Sequence, residues 1–229
     1  MQSVESQDYP HIEHIVVDGH SKDETLEIIE QYPHTATLIS EKDDGIYDAM
    51  NKGIRAATGD IIGILNSDDL YTDEHVISTV VKAFEDQSVQ ACYADLQYMD
   101  ARNTARITRT WKAGEYRTGS FYWGWMAPHP GFFVRKAVYE KVGLYNTVMR
   151  SSADYEMMLR IFVKHNLHVI YIPRVFVKMR TGGISNASIK NRIRANNEDR
   201  EAWRINGLKP YFFTVYLKPL RKIPQFLKK

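Results

Sequence analysis

Cysteine is nearly absent from this 229-residue sequence. Cys92 stands alone, so no internal disulfide can form, and such usage suits a reducing compartment. Its setting in a short apolar run marks it as a small buried strand residue. No apolar stretch approaches the roughly 20 residues that cross a bilayer, and the first residues do not read as a secretory signal. The expected location is the cytoplasm, or the inner face of the plasma membrane as a peripheral protein. A charge imbalance is missing too: 30 basic and 28 acidic residues leave a net charge of +2, so composition does not point to nucleic acid. Internal repeats and low-complexity linkers are also lacking. Hydrophobic residues at 44% and charged residues at 25% are ordinary for one well-buried domain with a small appendage.

What is present is organised around Asp43 to Asp69, DDGIYDAMNKGIRAATGDIIGILNSDD. Ile46, Ala49, Met50, Gly53, Ile54 and Ala57 recur at the spacing of one helical face. Asp44 is placed to cap that helix and Gly59 to end it. Ile61 to Leu65 is then too short for a helix and apolar on both faces, which fits a central strand covered on both sides. Beyond it come Asn66, Ser67, Asp68 and Asp69. In open α/β sheets the ligand crevice lies outside the carboxyl ends of the strands, so two carboxylates there point to a ligand or a cation.

The rest of the chain alternates around this stretch. Met1 to Tyr9 reads as the tail of a helix stopped by Pro10. Ile15 to Val17 is a second buried strand run ending at Asp18, and Ser21 with Glu24 forms a capping box for a following helix. Thr37 to Ser40 is a further strand. Thr72 is placed to cap a helix whose apolar face is Val76, Ile77, Val80, Val81 and Phe84. Val89 to Tyr93 is a strand, and Leu96 to Met99 with Arg106 to Thr110 reads as a hairpin. This alternation predicts an α/β fold with a doubly wound, mostly parallel sheet. From Trp111 the texture becomes aromatic and irregular. A helix over about Ser152 to Lys164, strands at Val169–Ile172 and Val175–Met179, a polar loop over Thr181–Ser188 and a helix from about Ile189 to Arg204 complete a domain of residues 1–208.

The tail from Lys209 to Lys229 contains no acidic residue. Its basic groups are interleaved with Tyr211, Phe212, Phe213, Tyr216 and Phe226. Such a mixture suits an anionic membrane surface, at about 1 kcal/mol per basic residue near it. The same tail also reads as a solvated basic end whose aromatics pack on the domain.

The candidate functional residues each carry a structural reading beside the chemical one. Asp68 and Asp69 suit a hard divalent cation, which uses one or two carboxylates plus substrate phosphates, but Asn, Ser and Asp also favour a turn. If the strand geometry persists there, successive side chains face opposite ways, one toward a nucleotide sugar ring and one toward a metal. Asp18 ends a neighbouring strand, and Asp44 doubles as a cap. Asp154 could belong to a capping box with Ser151. His129, between two prolines, and Trp125 are candidate contacts to a donor or acceptor, or simply structural residues.

Taken together, the motifs resemble family 2 glycosyltransferases, the inverting group with a GT-A fold. VVDGHSKDET (Val16–Thr25) looks like that family's VDxGSxDGT block. The stretch from Glu41 to Asp69 resembles its helix, strand and DD ending. HPGFFVRKAVYEKVGLYN, SSADYEMMLR and GGIS continue the likeness, in order, over most of Gln7 to about Leu208, nearest to bacterial exopolysaccharide or capsule enzymes. The resemblance implies a nucleotide-sugar donor, a saccharide or lipid-linked acceptor, and a Mg²⁺ or Mn²⁺ ion. Asp18 would contact the base and Asp44 would help hold the nucleoside. Asp68 and Asp69 would hold ribose and the metal on the diphosphate, and Asp154 would be the catalytic base. Asn66 and Ala153 depart from acids common in the family. Members usually open with a strand and most of a helix before the equivalent of Gln2. That strand lies in mid-sheet, between those ending at Asp18 and Asn66, so the chain is expected to be a truncated version of a longer protein. A sugar-nucleotide-binding remnant without turnover is one rival reading. A glycoside hydrolase, needing neither nucleotide nor metal, is another.

Overall fold

In the computed structural model, residues 1–181, 189–222 and 225 are described. The first half alternates. Helix α1 (Gln2–Glu5) precedes β1 (His14–Asp18), α2 (Thr25–Glu30), β2 (Thr35–Ser40), α3 (Ile46–Ala56) and β3 (Ile61–Gly63). Then come β4 (Leu70–Tyr71), α4 (Val76–Ala83) and the hairpin of β5 (Ala91–Met99) with β6 (Ile107–Trp111). The second half holds β7 (Phe132–Arg135), α5 (Lys136–Val142), α6 (Ala153–Met158), β8 (Val169–Arg180), α7 (Ile189–Ile205) and α8 (Thr214–Leu220). A π-helical turn, Leu159–Lys164, extends α6. The polar loop expected at 181–188 lies, beyond Thr181, outside the described residues.

The expected α/β architecture is borne out, but its sheet is mixed rather than mostly parallel. Among the described strands, only β1–β2 and β5–β8 pair in parallel. β6 returns from its hairpin onto β5, and β7, emerging from the aromatic segment, runs back between β3 and β5, so both pair antiparallel. β4 does the same on β8. The two strands foreseen at Val169–Ile172 and Val175–Met179 are one long strand, β8, whose register with β5 shifts on either side of Asp95.

Nor is the sheet continuous. Among the described strands, β1 pairs only with β2, and β3 pairs only with β7 at one end of the larger sheet. β3 is therefore not the covered central strand expected of Ile61–Leu65. Gly63 admits the Phe133 ring, since a Cβ there would lie 2.6 Å from Phe133 Cδ1. Both β1 and β3 border a cleft of about 1840 Å³. The apolar stripe of α3 (Ile46, Ala49, Met50, Gly53, Ile54 and Ala57) borders this cleft, as does Tyr47. Part of the stripe is also core, as expected: Ile54 is buried and Met50 and Ala57 pack against the core, while Ile46 is exposed.

Local caps differ from expectation in an instructive way. α3 starts at Gly45, whose φ of 117° is open to glycine, so Asp44 does not cap it. Ser21 bonds back to Asp18, and no capping box forms with Glu24. At the end of α3, Glu13 takes the Thr58 and Gly59 amides at 2.7 and 3.2 Å, holding that turn against β1.

Asn51 docks α3 onto the loop that precedes α6. Its amide donates to the Tyr145 carbonyl at 2.8 Å and its carbonyl accepts from the Tyr145 amide at 2.9 Å. Arg160 braces the same loop through the Val142 and Leu144 carbonyls, at 2.6 and 2.7 Å, and pairs with buried Glu156. Replacing Asn51 by alanine strands two buried backbone groups, each costing about 1–3 kcal/mol. Asn51→Ala should lower the urea midpoint accordingly, with an unchanged slope; an unaltered midpoint would show that the α3–loop contact is not stabilising.

Candidate active site

The cleft gathers acids from three separate places in the chain. Asp44 precedes α3, Asp68 follows β3, and Asp154 stands in the first turn of α6; all three border it, together with Tyr47 and His129. The tails of different elements converge because β3 and α6 both end or begin at this edge, while the Asn51–Tyr145 bonds bring α3 alongside.

Asp154 is held from the side by a phenol. Tyr47 Oη donates to Asp154 Oδ1 at 3.1 Å. Burial, and then the neighbouring Asp154 charge, push the Tyr47 pKa far above the usual phenol range, so the hydroxyl keeps its proton and remains a donor. The expected Ser151–Asp154 capping box does not form. Glu198 of α7 takes the Ser151 and Ser152 amides instead, at 2.7 and 3.0 Å. That leaves the Asp154 carboxylate free to face the cleft.

Asp68 and Asp69 occupy a turn, closed by the Asp69 amide on the Asn66 carbonyl at 3.0 Å, so strand geometry does not persist there. The turn nonetheless separates the pair: Asp68 is exposed on the cleft and Asp69 is 8% exposed. Among the described residues, Asp69 has only long hydrogen bonds, from the Arg180 amide at 3.3 Å and the Asn66 side chain at 3.4 Å. Burial first, and then the Asp68 charge, push its pKa up to about 7. Two adjacent carboxylates, one of them buried and poorly satisfied, fit a hard divalent cation that completes its shell with phosphate and water oxygens. Among the described residues no group of three or more His, Cys, Asp or Glu side chains forms a self-sufficient cage.

Asp18 ends β1 as expected but is 6% exposed and does not border the cleft. Its carboxylate accepts from the Ser21 amide at 3.0 Å, from the Ser21 hydroxyl and from the Ser40 hydroxyl at 2.7 Å. Burial acts to raise its pKa, and these bonds outweigh it and hold the group below the usual carboxylate range. His129 does border the cleft. Its Nε2 lies 2.8 Å from Tyr145 Oη, and burial lowers its pKa against the pull of Asp154, so the ring is neutral near pH 7. Trp125 is a correction: it is 6% exposed, its indole donates to the Ala113 carbonyl at 2.9 Å, and Tyr93, Tyr116, Phe121 and Phe162 surround it. It is core, since a large ring is best satisfied where its one donor finds a carbonyl, and it does not border the cleft.

Sequence reasoning missed Tyr47, Asn51, Tyr145 and Glu198. A signal was present in two of them: Tyr47 and Asn51 are four residues apart on α3, adjoining its apolar stripe on a helix otherwise read only for hydrophobic spacing.

With this geometry in view, residues 1–143 match the family described as Glycosyl transferase family 2. The chain is a family 2 glycosyltransferase. It is 31% identical over 163 residues to the uncharacterized glycosyltransferase Rv1514c of Mycobacterium tuberculosis, covering 70% of this chain and 61% of that relative. This chain thus matches less than two thirds of that relative's length. It is 27% identical over 194 residues to the PGL/p-HBAD biosynthesis glycosyltransferase Rv2957 of the same species, covering 82% of this chain and 73% of the relative. In fold it resembles S. aureus TarS 1-349 in complex with UDP-GlcNAc, with a TM-score of 0.67 at 14% identity, over 99% of this chain and 66% of that one. It also resembles the mannosyltransferase PcManGT of Pyrobaculum calidifontis in complex with GDP-Man and Mn²⁺, with a TM-score of 0.63 at 21% identity, over 97% of this chain and 64% of that one. The fold of this glycosyltransferase is therefore GT-A.

The raised Asp69 pKa carries a sign that can be measured. The group is protonated more readily folded than unfolded, so its contribution to stability is present near pH 4 and lost as pH rises through about 7. A cation requires the ionised form. The gain in melting temperature on adding Mn²⁺ should therefore grow from pH 5.5 to pH 8 by roughly the expected ionisation, and the growth should vanish in Asp69→Asn. A gain independent of pH in the wild type would remove Asp69 from the cation site.

Proposed function

We propose that this enzyme transfers a sugar, with inversion, from a UDP- or GDP-linked donor to a hydroxyl of a saccharide or lipid-linked acceptor, in the synthesis of a cell-surface polysaccharide. The observation that carries the reading is the shared cleft, on which Asp44, Asp68 and Asp154 open together with the Tyr47–Asp154 hydrogen bond. The nucleotide sugars held by TarS and PcManGT in the related folds support the donor class.

In this reading Asp44, exposed at the entrance to α3, holds the nucleoside. Asp68 and Asp69 hold the diphosphate through Mg²⁺ or Mn²⁺, which when bound offsets the charge growing on the leaving group. Asp154 accepts the proton of the acceptor hydroxyl as it attacks the anomeric carbon, a role typically worth ~10²–10⁴ in rate. Tyr47 fixes the carboxylate by engaging one oxygen, which leaves the other to take the proton. His129, neutral and hydrogen-bonded to Tyr145, contributes shape and a polar wall rather than charge. Asp18 ties the carboxyl ends of β1 and β2 through Ser21 and Ser40, and so keeps the floor of the site in register.

A second reading is nucleotide-sugar binding without turnover, favoured by the break between β1 and β3 beside the site. Titration calorimetry with UDP and GDP in Mn²⁺, run beside an assay of nucleoside diphosphate release, separates the two. Asp154→Asn should retain donor affinity within a few-fold and lose about 10²-fold or more in turnover. Equal loss of both would return Asp154 to a structural role, and binding by the wild type with no release would favour the second reading.

A further inference from the structure

The C-terminal segment is docked on the domain, yet it leaves one face unsatisfied. Thr214 and Val215 of α8 are buried, and Thr214 bonds the Tyr122 carbonyl at 2.8 Å. Lys218 turns inward, 2.8 and 2.9 Å from the Asp199 carboxylate oxygens. Gly124 lets the helix approach, because a Cβ there would lie 2.5 Å from the Lys218 amide nitrogen. Phe212, Tyr216 and Leu220, spaced four apart, point the other way and are 89%, 53% and 54% exposed. Trp123, 57% exposed, joins them from a different part of the chain, with its ring 5.3 Å from that of Phe213.

The rim of this face is cationic. Arg200 lies over the Tyr216 ring at 4.9 Å, and Arg221 donates to the Trp123 carbonyl at 3.3 Å. The acids of the adjoining α7 are engaged elsewhere: Asp199 with Lys218, Glu201 with Arg204, and Glu198 with the Ser151 and Ser152 amides. Aromatic rings with exposed cations, beside a helix whose acids are all engaged, match the chemistry of an anionic membrane interface, where Trp and Tyr favour the headgroup level and Lys and Arg meet phosphate. A two-fold pairing with a second copy would set this cationic rim against itself.

We propose that the face formed by Trp123, Phe212, Tyr216 and Leu220 docks on an anionic lipid bilayer. It is a composite surface of the folded domain, not a free arm, and α8, which carries Tyr216 and Leu220, is tied through Lys218–Asp199 to α7, whose Glu198 holds the Ser151 and Ser152 amides before Asp154. Docking there would hold the protein at the surface where lipid-linked acceptors reside, independently of which donor is used.

The test is co-sedimentation of the full 229-residue chain with vesicles of phosphatidylcholine alone, or mixed with phosphatidylglycerol. The wild type should pellet with the anionic vesicles only, and less so as salt is raised. The triple variant Phe212→Ser, Tyr216→Ser, Leu220→Ser should lose on the order of tenfold or more in partitioning, with an unchanged melting curve. Leu38→Ser, on β2, should behave as wild type. No binding by the wild type, or equal binding by the triple variant, overturns the proposal. A wild-type dimer in light scattering that the triple variant converts to monomer would assign the face to a second copy instead. None of these outcomes depends on sugar transfer, so UDP binding can fail or succeed separately.

Discussion

A hydrogen bond between residues 107 positions apart, from Tyr47 to Asp154, joins the alternating first half of the chain to the aromatic second half at the point where chemistry is expected. The bond exists because α3 is pinned to the loop over 143–152 by Asn51, and because Glu198 satisfies the amides that would otherwise draw Asp154 back onto its own helix. An unheld carboxylate at a helix N-terminus has good reasons to fold back as a cap. Here the cap is supplied from another helix, and the acid is left to face the cleft. A charged group is thereby kept available at a position that local structure alone would have consumed.

The same trade recurs across the cleft. The Asn66–Asp69 turn buries one carboxylate and exposes the other, leaving Asp69 with weak partners and a pKa of about 7. Such a group is destabilising when ionised and alone, and a bound cation would relieve it. At Asp18 the opposite holds: three hydrogen bonds satisfy the carboxylate so fully that it serves the fold and not the cleft. Two buried acids, one ending β1 and one in the turn before β4, thus differ in how fully their hydrogen-bond partners satisfy them.

Much of the fold could be read from the chain. The alternation up to the β5–β6 hairpin, the helix at 189–205, and the acids at strand ends follow from spacing and punctuation that need no tertiary information. Pairing direction was not legible, because β7 arises from an irregular segment whose apolar residues fix burial without fixing direction. Capping was misread at Asp44, Ser21 and Ser151 for one reason. Each motif is a local option, and a competing partner or a glycine won: Glu198 of α7 at Ser151, Asp18 at Ser21 and Gly45 at Asp44. Trp125 and Trp123 show the limit for aromatics: nearly adjacent in sequence, one is core and one is surface, and only the packing of Tyr93, Phe121 and Phe162 around the first tells them apart. Tyr47 was overlooked because a phenol beside an apolar stripe looks like more of the stripe.

The central claim is that the Asp68–Asp69 pair and the Tyr47–Asp154 pair address one bound donor. Paramagnetic broadening by Mn²⁺ in the presence of UDP tests it directly, using resonances assigned to Tyr47, Asp154 and, as a remote control, His168, which lies at the opposite end of β8 from the Arg180 that bonds Asp69. Broadening of Tyr47 and Asp154 that spares His168 and disappears in Asp69→Asn is the predicted result. Broadening that bypasses Tyr47 and Asp154, or that survives the loss of Asp69 unchanged, would contradict it.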